Sequence, residues 1–179
     1  MAVLKVARLG HPVLRRVAEP VPPEGIGAPE IQHLIDDMLE TMAEYDGAGL
    51  AAPQVHVSRR IVIYGVEANP RYPDAEAVPL TVLINPSLTP IADEEDEDWE
   101  GCLSVPDLRG MVRRFTRIHV EAHGRDGTPL RFAAAGFHAR VVQHECDHLD
   151  GKVYLDRMRS METLTFLGEF ERYWLTRRG

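Results

Sequence analysis

The segment from about Gly136 to Leu149 constrains the fold of this chain more than any other, because it reads as a helix with two apolar sides. At about 100° per residue, Phe137 and Val141 fall on the side of His144 and His148, whereas Val142, Cys146 and Leu149 fall opposite. A helix apolar on both sides is buried, so the rest of the chain must close around it. His144 and His148 then become interior residues that need partners. They belong to the run His144-Glu145-Cys146-Asp147-His148, an HExxH pattern whose histidines, at i and i+4, share one face and can share a metal ion. A carboxylate at Glu145 beside such an ion can take a proton from water and return it to a leaving nitrogen. The competing reading is a pair of hydrogen-bonded core histidines. Cys146, on the far side, is read as a small packing residue.

A catalytic site of this kind usually has three protein ligands. The longer pattern HExxHxxGxxH matches as far as Gly151 and fails at Tyr154. Two kinds of third ligand stay open: a late carboxylate, Glu162 or Glu169, or Cys102 upstream in the stretch from Trp99 to Pro106.

The remaining sequence supplies one core for this helix. With 179 residues, 44% of them apolar, the chain is expected to form a single catalytic domain over 1–179 without disulfide staples. The formal charge of −8 is a local matter: Asp93 to Asp98 with Glu100 place seven acids in eight positions, and the rest of the chain is nearly neutral. This run reads as a solvated turn or strand edge, and no basic nucleic-acid footprint is present. No apolar run is long enough for a membrane span and no leader pattern is visible, so a cytoplasmic protein with Cys102 and Cys146 as thiols is expected. Ile31, Leu34, Ile35, Met38, Leu39 and Met42 follow helical spacing and predict an amphipathic helix opening at Pro29 and ending near Asp46-Gly47. Strands are predicted at Arg60 to Val66 and Leu80 to Asn85, with a hairpin of Arg117 to Ala122 and Leu130 to Ala134. Glu67 to Pro79 reads as a surface loop, and a last helix is predicted from about Met161 to Trp174. Strands in the middle and helices towards the ends indicate α+β: antiparallel sheets around a buried HExxH helix, with N-terminal and C-terminal helices.

Three motifs then occur in order: Gly47-Ala48-Gly49-Leu50-Ala51-Ala52-Pro53-Gln54, Glu100-Gly101-Cys102-Leu103-Ser104 and His144-Glu145-Cys146-Asp147-His148. With Gly10-His11-Pro12 near the start and Gly151-Lys152-Val153 after the helix, the chain resembles peptide deformylase over nearly its whole length. The resemblance implies metal ligation by Cys102, His144 and His148, and Glu145 as general base and then general acid. It implies oxyanion stabilisation by the Gln54 amide and the Leu103 backbone N–H, and an active ion that is Fe²⁺, with Zn²⁺, Ni²⁺ or Co²⁺ as other occupants. The implied substrates are N-formylmethionyl nascent peptides, which lose formate. Gly47 and Gly49 are expected to let backbone approach substrate, Phe137 and Val141 to line the methionine pocket, and Glu100 and Arg109 to position the substrate or each other. Arg140 lies near the same face. Transient ribosome contact belongs to the same resemblance, although a tail ending in Arg177 and Arg178 differs from the basic tails that dock there; a processed organellar form is a second location. The rival functions are an HExxH zinc peptidase with a late Glu ligand and a nascent-chain-binding module without turnover.

Overall fold

The computed structural model describes residues 2–66 and 77–175. In chain order it contains α1 (Pro29–Glu44), β1 (Gly49–Ala51), β2 (Ile61–Val66), β3 (Val78–Pro90), β4 (Glu95–Cys102), β5 (Val105–Phe115), β6 (Arg117–His123), β7 (Pro129–Ala135), α2 (Gly136–Leu149), β8 (Thr165–Phe166) and α3 (Leu167–Tyr173). The strands form two antiparallel sheets, one ordered β1-β2-β3-β6-β7 and one ordered β4-β5-β8. This is the α+β arrangement expected from the sequence.

Strand β2 shows why the larger sheet sits between two helices. Its residues alternate: Val62 and Tyr64 join the core under α2 with Val142, Cys146 and Leu149, while Ile61 and Ile63 join the core under α1 with Ile35, Met38 and Met42. A strand covered on both faces carries no polar alternation, which is why Ile61 to Val66 reads as a continuous apolar run. Helix α1 opens with Pro29 at a position whose missing N–H has no intrahelical partner to lose. The hairpin forms as expected, with Val120 opposite Phe132 and Ala122 opposite Leu130.

Three expectations change. Strand β3 continues past Asn85 to Pro90, because a register shift between Ile84 and Ser87 absorbs the irregularity. Asn85 takes φ +54°, and its amide exchanges two hydrogen bonds with the backbone of Val21 at 2.9 and 2.8 Å. Of the Glu67 to Pro79 loop, 67–76 lie outside the described residues, and Val78 and Pro79 already belong to β3. The single helix from Met161 to Trp174 is instead a 3₁₀ turn at Met161–Thr163, then β8, then α3. Thr163 Oγ1 accepts from Met111 N at 3.3 Å, and β8 then adds to β5, a tertiary pairing that helical periodicity does not register. From Glu95 onward the acidic run is an edge strand, β4, whose Asp96 and Glu97 lie opposite Arg114 and Arg113.

Candidate active site

Three separated segments converge on α2. Cys102 ends β4 where its ladder with β5 shifts register, so the chain turns through Leu103 and Ser104 directly after the thiol. Gln54 sits in a 3₁₀ turn, Ala52–Val55, that follows β1. The N-terminal segment fastens both: Ala7 N donates to Gln54 O at 2.7 Å and Leu9 N to Ser104 O at 2.8 Å.

Ligand atoms of Cys102, His144 and His148 lie within 4.8 Å of one another, and all three residues are buried. Cys102 Sγ is 3.3 Å from His148 Nε2. His144 Nδ1 donates to Glu100 Oε2 at 2.8 Å, which leaves its Nε2 for a ligand. A carboxylate on the second ring nitrogen of a histidine orients the ring and raises its basicity, the usual support for a metal-binding imidazole. Burial alone would push the Cys102 thiol up, but His148 and His144 beside it hold it well below its ordinary value, toward the thiolate that binds metal. The donor set therefore fits a divalent ion of the first transition series. Glu162 and Glu169 are exposed, and neither belongs to this group.

Glu145 is buried, and its Oε2 has no hydrogen-bond partner among the described residues. Burial pushes its carboxyl up to about 7, against the lowering effect of His144 and His148. Gly49 makes room for it: a Cβ there would come within 2.6 Å of Glu145 Cδ. At Gly47 a Cβ would meet Leu103 Cδ1 at 3.1 Å. Gln54 is fixed at both ends of its amide. Its Oε1 accepts from Ala51 N at 2.8 Å, while its Nε2 donates to Ser104 Oγ at 3.1 Å and faces Cys102 Sγ at 3.5 Å. One cavity is lined by Gly47, Gly49, Gln54, Leu103, Phe137 and Val141, together with Cys102, His144 and Glu145.

Glu100 borders this cavity, but its oxygens are committed to protein groups: Arg114 binds it with Nε and Nη2, both at 2.9 Å, and Arg140 Nη1 adds a third contact at 2.9 Å. Burial would raise its pKa; Arg114 above all, and His144, hold it far below the carboxylate range. Arg114 also reaches Asp147 Oδ2 at 2.5 Å, and Asp147 pairs with Arg157. Arg140 is completed by Val112 O at 2.8 Å and Asp96 O at 2.9 Å. Arg109 is not among the cavity-lining residues. It is buried, packed on Gly101 and 5.9 Å from the Phe170 ring centroid. Sequence reasoning missed Arg114 and Asp147. No spacing marks them, and only the general rule that a buried carboxylate needs a cation pointed to their kind.

The sequence matches the polypeptide deformylase family over residues 3–164. It is 52% identical to peptide deformylase 1 of Nitrosomonas europaea, covering 87% of this chain and 88% of that one. It is 53% identical to peptide deformylase 2 of Pseudomonas putida, covering 86% of each. Among solved structures, the fold is similar to the class I type b peptide deformylase of Acinetobacter baumannii bound to Met-Ala-Ser, with TM-score 0.84, 40% identity, and 88% and 99% coverage. The enzyme of Thermotoga maritima is also similar, with TM-score 0.78, 34% identity, and 89% and 100% coverage. A match over nearly the whole chain, at this identity, carries all three motifs with it, and on these grounds the chain belongs to the polypeptide deformylase family of hydrolases.

Proposed function

We propose that this enzyme, acting as one catalytic unit, removes the formyl group from N-formylmethionyl nascent peptides, with Fe²⁺ held by Cys102, His144 and His148. The observation that carries this reading is the convergence of those three donors beside Glu145, whose buried Oε2 has no hydrogen-bond partner among the described residues. The bound ion supplies Lewis acidity to the formyl carbonyl and acidifies the attacking water.

The chain's own groups do the remainder. Glu145, buried beside the three donors with an oxygen left over by the described residues, takes the proton of the attacking water. Water oxygen bonds to the formyl carbon, whose carbonyl oxygen becomes an oxyanion facing Gln54 Nε2 and the Leu103 N–H. One such preorganised donor typically contributes about 3 kcal/mol. The C–N bond then breaks, Glu145 delivers the proton to the departing nitrogen, and formate and a free amine result. Phe137 and Val141 offer an apolar wall for the methionine side chain, in keeping with a relative that binds a peptide beginning with Met. Gly47 and Gly49 leave the cleft rim without side chains, so peptide backbone can approach. Glu100 acts through His144, and Arg109 through the segment around Gly101. The proposed setting is the bacterial-type cytoplasm, with transient contact to the ribosome. Among the described residues no helix is long and apolar enough to cross a membrane.

Protein purified without oxygen, analysed for metal and assayed for formate release, tests the reading. Formyl-Met peptides should be hydrolysed and acetyl-Met peptides left intact, because a methyl in place of hydrogen displaces the carbonyl carbon from attack distance. Equal rates on the two would mark a general amidase. Cleavage of unformylated casein would favour a peptidase, and binding without turnover a nascent-chain module.

A further inference from the structure

Both tryptophans of the chain meet at one place. Trp99 lines the cavity, and its ring packs on Phe170 with centroids 5.0 Å apart and on Trp174 at 5.2 Å. Phe170 is the buried residue of α3, and it also underlies the Arg109 guanidinium. That guanidinium fills the space a Cβ on Gly101 would take, coming within 2.9 Å at Cζ, and Gly101 stands between Glu100 and Cys102. The segment is held in place by pairing of Leu108 with Phe166 and of Arg109 with Thr165. Residues 165–174 follow the span matched by the family, yet they support a wall of the cleft.

We propose that the C-terminal segment, Thr165 to Trp174, is a specificity element of this enzyme: Phe170 props the Trp99 indole against the cavity and so sets how the pocket fits the methionine side chain. The inference rests on the deformylase reading. Tilted aromatic rings at 5 Å attract one another beyond their shared burial, so Phe170 holds the indole in one orientation. Removing the ring opens space behind Trp99, and the wall yields on the side away from the cavity. A substrate with a long side chain presses on that wall, whereas one with a short side chain does not reach it. An element that only stabilised the fold would affect both substrates alike.

The test compares formyl-Met-Ala-Ser with formyl-Ala-Ala-Ser. In Phe170→Ala, kcat/KM for the formyl-Met peptide should fall about tenfold, chiefly through KM, with the formyl-Ala peptide within about twofold of wild type. Phe170→Leu retains apolar volume without the ring and should lose about threefold, on the same substrate only. Metal content and far-ultraviolet circular dichroism identify the folded enzyme for each variant. Equal losses on the two peptides, or no loss on either in both variants, overturn the inference alone. A wild-type enzyme that releases formate from neither peptide overturns the deformylase reading as well.

Discussion

Helices α1 and α2 have 16 and 14 residues and cover opposite faces of the same sheet, yet they are anchored by different physics. In α1, Ile35, Met38, Thr41 and Met42 are buried on one side, while Glu30 and Glu44 are exposed and Asp36, Asp37 and Glu40 are half-buried. In α2 every residue from Ala139 to Leu149 is buried, among them Arg140, Gln143, His144, Glu145, Asp147 and His148. An apolar stripe needs only another apolar surface. A buried polar face needs partners of defined charge and position, and Arg140, Gln143, His144 and Asp147 of α2 find them in β4 and β5, with Arg157 adding a second cation at Asp147. Stability comes cheaply to α1, while α2 gains a fixed geometry at the cost of desolvating charges.

Cys102→Ala breaks the comparison most severely. It should leave the protein folded but metal-free and inactive, while Glu169→Gln, at an exposed position of α3, should keep both metal and rate; elemental analysis beside formate release decides it. Next comes Glu145→Gln, nearly isosteric but unable to accept a proton. It should bind metal normally and lose about 10²- to 10⁴-fold in kcat, with its melting temperature at or above that of wild type. Arg114→Ala removes a cation shared by two buried carboxylates and should cost about 3–5 kcal/mol in chemical denaturation, a cost that α1 has no residue to match in kind. Met38→Ala provides the converse case: about 2–5 kcal/mol of stability lost through a core cavity, with turnover per folded molecule unchanged. Reduced turnover in folded Met38→Ala enzyme would show that the two helices are not independent.

The smallest effect is the acid profile. Burial opposes it, but Arg157 and Arg114 lower the pKa of Asp147 below its ordinary 3.8. A carboxyl lowered on folding stabilises the native state above its unfolded pKa, and that contribution is lost as pH falls through the native value. Stability measured by urea denaturation should therefore decline below about pH 4, with a shallower slope in Arg157→Met.

The same contrast explains what could be read from sequence. The apolar periods of α1, β2 and the β6–β7 hairpin are local, and they led to the correct elements. The HExxH spacing is also local and placed two donors and a carboxylate on one helix. Cys102 was one of several open third ligands until the Glu100–Ser104 motif was recognised, because a distance in space is not written in the interval between positions 102 and 144. Arg114 was invisible for that reason: it joins Glu100 and Asp147 across 14 and 33 positions. At the C-terminus helical spacing was present in part, but pairing of β8 with β5 overrode it.

The two hydrogen bonds from Ala7 and Leu9 to Gln54 and Ser104 carry a consequence for the order in which the protein becomes functional. The residues that clamp the site precede their acceptors in the chain, and the two histidines lie further on still. The centre joins Ala7, Gln54, Cys102 and His148, and contacts this distant in sequence form slowly compared with local ones. Under the proposed function, activity therefore waits on the last of these long-range contacts, so the site is a product of the folding of the chain as a whole and not of any one motif.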